Sequence, residues 1–386
     1  MKIIFTVATY YPKKDGVQMV TQYQAEGLAK RGHDVTVITS KIDNVIDEEI
    51  HNGVKIIRVD AYNFYYWHKG KKKEYQRNLL KMSSSADVLI AVCLQSFSAD
   101  WLLPIINDIK CTKILYLHGM PDFRLHSNDL TSLKNVLKTI FRNIRWKFFY
   151  TINTPRIKKF DAITHLFTND NSHRYFMKYN YKNNIIIENA CDQAFFEKIE
   201  RNNKKYFITV GNYCERKNQR KALEVFYGMN EKNVGLVLIG SSNNSYYKML
   251  LKLKKKLDDI YGKRDVKILY NLSREETINY VKNSYATLLT SNYEYYPLTI
   301  VESMAAGIPF ISTDVGIIKY LPGGVIASKN KDLSYWMDFY IKNESIVKKM
   351  GEIGREYAEK NLTVKKKVDT LENCILSLTN DKRRFK

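Results

Sequence analysis

Short apolar runs alternate with amphipathic stretches along most of the chain. In the first half the runs are Ile3–Ala8, Asp34–Thr39, Val54–Val59, Asp87–Cys93 and Lys113–Leu117. Each is bounded by polar or glycine-containing segments and is predicted to be a buried strand. Between the first two, Val17–Lys30 reads as a helix that stops at Gly32. The pattern restarts after the polar run Glu197–Lys205, with strands expected at Tyr206–Val210, Gly235–Gly240, Val266–Tyr270, Ala286–Thr290 and Pro309–Ser312. Charged helices fall between them, including a lysine-rich one around Tyr246–Leu257. Short apolar strands separated by helices imply parallel sheets with crossover helices, an α/β design.

The restart implies two doubly wound domains, residues 1–196 and 197–365, with a C-terminal helix at about 366–386 that packs back on the first domain. Sheets of this kind bind ligands beyond the carboxyl ends of their strands, which here means a cleft between the domains. A length of 386 residues and a hydrophobic content of 45% suit two globular cores. The N-terminal run reads as a first strand rather than a signal peptide, and no stretch approaches the ~20 apolar residues of a membrane span. The five cysteines, Cys93, Cys111, Cys191, Cys214 and Cys374, form neither a metal pattern nor a disulfide framework, so a cytosolic protein with reduced thiols is expected.

Charge changes the picture more than length does. The net charge of +22 attracts polyanions, anionic lipid or phosphorylated substrates. From Thr131 to Lys159 there are eight Lys or Arg and no Asp or Glu. Within that stretch Leu133, Val136, Leu137, Ile140, Phe141, Ile144 and Phe148 recur at helical steps, while Lys134, Lys138, Arg142 and Arg145 line the other face, with Trp146 near the boundary. Two readings fit: a helix lying in a membrane interface, or a domain helix whose apolar face packs on the sheet. The uninterrupted positive charge favours the membrane surface.

The most specific chemistry lies in Glu294-Tyr-Tyr-Pro-Leu-Thr-Ile-Val-Glu302, continued by Ser-Met-Ala-Ala-Gly-Ile-Pro. Pro297 makes one unbroken helix untenable, so a helix is expected to start near Leu298, with Glu294 before its N-terminus and Glu302 one turn inside. Free N–H groups at that helix end suit a phosphate, and carboxylates on either side suit sugar hydroxyls. Further upstream, Val210-Gly-Asn-Tyr-Cys-Glu-Arg-Lys-Asn-Gln219 follows an expected strand, and its Arg216–Lys217 pair makes a reasonable phosphate clamp. In the first half, Gly16 ends a loop between the first strand and first helix, where a glycine and a helix N-terminus favour close approach of an anion. His118, at the end of Ile114-Leu-Tyr-Leu-His-Gly119, would face the cleft. No G-x-G-x-x-G fingerprint, Walker A loop, zinc spacing or RNA-binding aromatic motif is present.

These segments resemble, in order, the retaining glycosyltransferases of family 4 (glycosyl transferases group 1), whose E-x7-E signature matches Glu294–Glu302. The resemblance implies a GT-B fold, two Rossmann-like doubly wound domains facing across a cleft, and transfer of a sugar from a nucleotide-diphosphate sugar to a saccharide acceptor. Arg216 and Lys217, with the Leu298 and Thr299 amides, would neutralise the diphosphate, Gly211 and Tyr296 would line the donor site, Glu294 would hold donor-sugar hydroxyls and Glu302 the ribose diol. Domain closure would bring the Gly16 loop and His118 onto the donor. The chain departs from the family where Val17 replaces a second glycine, Asn212 replaces an arginine, and Ala190 replaces a glycine in Ile185-Ile-Ile-Glu-Asn-Ala-Cys-Asp192, whose Asn189 and Asp192 read as structural. With no Asp-x-Asp motif, neither a metal nor another cofactor is expected. The basic, aromatic first domain fits a lipid-linked acceptor at the inner face of the cell membrane, as in surface-polysaccharide synthesis, with Lys134, Lys138, Arg142 and Arg145 as membrane contacts. Two alternatives share parts of the pattern: a GT-B sugar-nucleotide epimerase, and a non-catalytic binder of polyanions. The ordered site motifs argue against a nucleic-acid partner.

Overall fold

The computed structural model describes residues 1–13, 15–64, 67–125, 132–181, 183–199 and 204–384, and it divides into two compact units, Met1–Glu188 with Val364–Lys386, and Asn189–Thr363. The first unit runs β1 (Lys2–Thr6), α1 (Gly16–Lys30), β2 (Asp34–Ser40), β3 (Glu48–His51), β4 (Val54–Val59), β5 (Ala61–Phe64), β6 (Trp67–Gly70), α2 (Lys72–Ser83), β7 (Val88–Val92), α3 (Phe97–Asp100), β8 (Thr112–Tyr116), α4 (Leu133–Ile157), β9 (Ala162–His165), α5 (Asn171–Lys178) and β10 (Asn184–Ile186). Its sheet has the order β10-β9-β8-β7-β1-β2-β4-β3, parallel except for the β3–β4 edge, and β5–β6 form a separate hairpin. Each residue of β7 (Val-Leu-Ile-Ala-Val) is buried, as expected of a strand covered on both faces.

The second unit runs β11 (Tyr206–Val210), α6 (Gln219–Tyr227), β12 (Gly235–Gly240), α7 (Ser245–Tyr261), β13 (Val266–Tyr270), α8 (Arg274–Lys282), β14 (Ala286–Leu289), α9 (Leu298–Ala305), β15 (Phe310–Ser312), β16 (Gly324–Ile326), α10 (Asn330–Lys342) and α11 (Glu344–Asn361). Its all-parallel sheet has the order β13-β12-β11-β14-β15-β16. In each sheet the first strand of the unit is central, so the winding reverses beside β1 and beside β11, where such folds bind ligands.

The two units meet in sequence at 188/189, not at 196/197. The intervening residues are built into the second unit: Cys191 N donates to Leu362 O (2.8 Å), Arg355 Nη2 donates to Phe196 O (2.5 Å), and Phe195 is fully buried. The last helix, α12 (Val364–Arg384), belongs to the first unit and lies along α1, where Arg31 pairs with Asp369 and with Glu372 at 2.5 Å. The expected strands are all present, with ends shifted by a residue or two. The β5–β6 hairpin, by contrast, has no alternation that would reveal it.

Candidate active site

Pairing of β11 with β14 sets the loops that follow them side by side. Hydrogen bonds then lock the two loops together. Asn292 N donates to Arg216 O (2.8 Å), Asn292 Nδ2 to Glu215 O (2.8 Å), Thr290 Oγ1 to Asn218 O (2.9 Å) and Asn218 Nδ2 to Asn292 Oδ1 (2.9 Å). Asn218 turns the chain into α6 with φ of +48°, a left-handed conformation that asparagine tolerates, and caps the helix with its side chain. The result is a rigid seat for Arg216 and Lys217 against Glu294.

Glu294 is almost fully buried, at 6% exposure, and is held by two cations: Lys217 Nζ lies 2.6 Å from Oε1 and Arg216 Nη1 lies 3.1 Å from Oε2. Two positive charges on one carboxylate leave one uncompensated, which favours a further anion at this spot. Gly211, at φ +157°, lies beside the Lys217 stem, 3.4 Å from where its Cβ would be.

α9 adds to the positive end of the site. Its N-cap is Pro297, which contributes no side-chain hydrogen bond, so the amides of Leu298 and Thr299 open the helix without a side-chain acceptor. Thr299 Oγ1 is buried and has no hydrogen-bond partner. Leaving such a group unpaired costs about 1–3 kcal/mol, which a ligand oxygen would relieve. Tyr296 is buried, and its carbonyl accepts from Asn189 Nδ2 at 3.0 Å.

One turn into α9, Glu302 Oε1 accepts from Arg274 Nη2 at 2.8 Å. Arg274 opens α8 behind a Ser273–Glu276 capping box, stands 5.0 Å over the Phe195 ring, and has Nε 4.0 Å from Asp192 Oδ2. Burial pushes the Glu302 carboxyl above its ordinary range, and Arg274 draws it part of the way back. Arg274 is the residue that sequence reasoning missed. The Ser273-Arg-Glu-Glu276 run could have marked it as the first residue of a helix, but nothing along the chain ties it to Glu302.

Gly316 fixes the other wall. At φ +57°, a Cβ there would sit 2.1 Å from Tyr295 O, whose carbonyl accepts from Ile317 N at 3.0 Å. Gly316→Ala is therefore expected to cost about 2 kcal/mol or more, through both the left-handed backbone and the clash. Urea unfolding of the variant checks this; unchanged stability would show that the Glu294 loop yields freely.

Gly16 and His118 belong to the first unit. Gly16 is the first residue of α1, but Asp15 already occupies that helix end. Its Oδ1 accepts from Gln18 N at 2.9 Å and its Oδ2 from Thr9 Oγ1 at 2.6 Å. A carboxylate in this position satisfies the dipole and repels a second anion, so the expected phosphate-friendly helix end is not open here. His118 follows β8, and its Nε2 is buried without a partner. Burial lowers its pKa to about 4, so the imidazole is neutral at physiological pH.

The four expected membrane contacts separate into two kinds. Lys134 and Lys138 are exposed, whereas Arg142 and Arg145 are half-buried. Arg145 is covered by Trp67 and Trp146, each ring centroid 4.6 Å from its guanidinium carbon. The face of α4 that packs on the unit carries Thr139, Trp146, Tyr150, Thr154 and Ile157, so the apolar face is not the packed one.

Comparison with known proteins bears on the family and the fold. Residues 14–168 match the model of Glycosyltransferase Family 4, and residues 192–357, which hold Arg216, Lys217, Arg274, Glu294 and Glu302, match that of Glycosyl transferases group 1. An uncharacterised glycosyltransferase of Methanocaldococcus jannaschii is 22% identical over 380 residues, covering 93% of this chain and 94% of the relative. Among solved structures, sucrose-phosphate synthase from Thermosynechococcus elongatus superposes with a TM-score of 0.77 at 14% identity, over 98% of this chain and 99% of that one. HepE from Anabaena, in complex with UDP-glucose, superposes with a TM-score of 0.71 at 13% identity, over 98% of this chain and 100% of that one. With both family models matched in order and the fold shared across its length, the chain belongs to the group 1 glycosyltransferases of the GT-B fold.

Proposed function

We propose that this glycosyltransferase is a retaining, metal-independent enzyme. In this reading it moves a hexosyl group from a nucleotide-diphosphate sugar to a saccharide acceptor. The observation that carries the proposal is the clamp of Arg216 and Lys217 on buried Glu294 beside the uncapped start of α9. As the bond from the anomeric carbon to the diphosphate breaks, negative charge builds on the leaving oxygen. Arg216, Lys217 and the Leu298 and Thr299 amides would stabilise it. Glu294, relieved of part of its ion pairing by the diphosphate, would accept from donor-sugar hydroxyls, and Glu302 from the ribose diol. The acceptor hydroxyl attacks the same face of the sugar, and its proton passes to the departing diphosphate oxygen. His118 and the Gly16 loop remain proposed sugar contacts on family resemblance. The UDP-glucose bound to HepE makes a uridine nucleotide the first candidate.

The acceptor is proposed to be lipid-linked, at the inner face of the cell membrane, in the synthesis of a surface polysaccharide. The net charge of +22 and the acid-free basic stretch support an anionic surface as partner. Among the described residues no helix is long and apolar enough to cross a membrane.

Thermal unfolding with UDP, GDP, CDP and ADP tests the donor site. One nucleotide is expected to raise Tm by several degrees in the wild type, on the order of 2–3 kcal/mol at a hundredfold excess over Kd, and clearly less in Glu302→Ala. No shift with any of them would remove the central claim. An epimerase would convert the sugar nucleotide with no acceptor present. A polyanion binder would show salt-dependent binding indifferent to Glu294 and Glu302.

A further inference from the structure

α4 turns its apolar side to water. Leu133, Leu137, Phe141, Ile144, Phe148 and Ile152 are 48–75% exposed and recur at steps of three and four. At 1.5 Å per residue they make a continuous ridge ~28 Å long. Lys134 and Lys138 flank it on one edge and Lys147 on the other, all exposed. Beside the ridge, the β5–β6 hairpin presents Trp67 at 67% and Phe64 at 44% exposure, with Trp67 over Arg145. That hairpin is pinned in place. His68 Nε2 lies 2.8 Å from Asp100 Oδ2, Asn63 Nδ2 donates to Ser96 Oγ (3.2 Å), and Phe97 N donates to Asn63 Oδ1 (3.0 Å).

We propose that this ridge is a bilayer-docking surface: α4 lies in the plane of an anionic membrane, its apolar residues among the acyl chains and Trp67 at headgroup depth. The inference rests on the reading of a membrane-borne acceptor and deepens it. It assigns the contact to the apolar ridge, with the lysines as flanking electrostatic help, rather than to a basic face. An exposed apolar strip of this length marks an interaction surface. Its occupant follows from charge. Eight basic and no acidic residues over 131–159 complement anionic headgroups, whereas a second copy of the chain would bring two lysine-flanked ridges together. Trp67 adds an aromatic ring of the kind that settles at the interface.

The test is co-sedimentation of the full chain with vesicles of equal parts phosphatidylcholine and phosphatidylglycerol, at about 0.1 M and about 1 M salt. Two variants are compared: F141S/I144S/F148S and K134Q/K138Q/K147Q. The ridge variant is expected to bind about 30-fold or more weakly at both salt concentrations. The lysine variant is expected to lose about tenfold at low salt and little at high salt. Every substituted position is exposed, so thermal unfolding of both should match the wild type. Wild-type vesicle binding by the ridge variant would overturn the proposal. So would a wild-type dimer in solution that the ridge substitutions dissociate, because the ridge would then belong to a second copy. Nucleotide-induced Tm shifts on the same preparations separate this from the donor reading: ridge-dependent binding without any nucleotide shift would defeat the donor site and leave the ridge assignment standing.

Discussion

Lys217→Ala is expected to lower the rate of sugar transfer by about 10²–10³-fold, the loss seen when a preorganised charge at a leaving group is removed. Lys217 Nζ lies 2.6 Å from buried Glu294, and the side chain is only 15% exposed, so solvent cannot supply a substitute charge in the same place. Arg216 is 52% exposed and is seated at its outer edge, so Arg216→Ala should cost less, on the order of tenfold. Lys217→Ala should still fold, because Arg216 continues to pair with Glu294 at 3.1 Å. The readout is kcat with the nucleotide sugar whose nucleotide shifts Tm. A fall in kcat and in kcat/KM together marks an interaction made in the transition state. Unchanged kcat with a raised KM would confine Lys217 to ground-state binding.

The second large effect falls on stability. Arg274→Ala is expected to destabilise the second unit by about 1–3 kcal/mol near neutral pH. This is less than the ~3–5 kcal/mol of a fully buried broken pair, because Arg274 keeps 36% exposure. The loss should depend on pH, and the sign follows from Glu302. Its carboxyl titrates above its ordinary range in the folded protein, so between the ordinary and the raised value the folded chain holds a proton that the unfolded chain has lost. Stability from this group is therefore highest below the ordinary glutamate pKa and falls as pH rises through the raised one. Arg274 limits that fall, and without it the window extends upward. Unfolding of Arg274→Ala should accordingly approach wild type at a pH below the ordinary glutamate pKa and fall away at a pH above the raised one. Adding Glu302→Gln should recover most of the loss at the higher pH. A loss equal at both pH values would instead assign it to the packing of Arg274 on Phe195.

Much of the candidate donor site was legible because its groups sit at chain-local punctuation. Pro297 sets where α9 begins, and that alone puts Glu294 before the helix and Glu302 one turn inside it. Arg216 and Lys217 follow a strand whose apolar run is unmistakable. The Glu302–Arg274 pair was not legible. The partners are 28 positions apart on different helices, and no local pattern links them. The α4 case was legible only by half. Periodicity identified an amphipathic helix and the composition of its faces, but which face meets the protein is a property of the surface it packs on.

The alternation of apolar runs and helices determined that this chain forms two α/β units, because a strand buried on both faces can be satisfied in little else than a helix-covered parallel sheet. The order of motifs likewise determined which residues are candidates for contacting a diphosphate. Strand order decided the rest. Only when β14 pairs with β11 does Glu294 come within 2.6 Å of Lys217, 77 positions upstream (294 − 217). Arg274 on Glu302 and the outward ridge of α4 are decisions of the same kind. Each depends on which surfaces are near in space, and hydrophobic patterning along a chain carries no record of that.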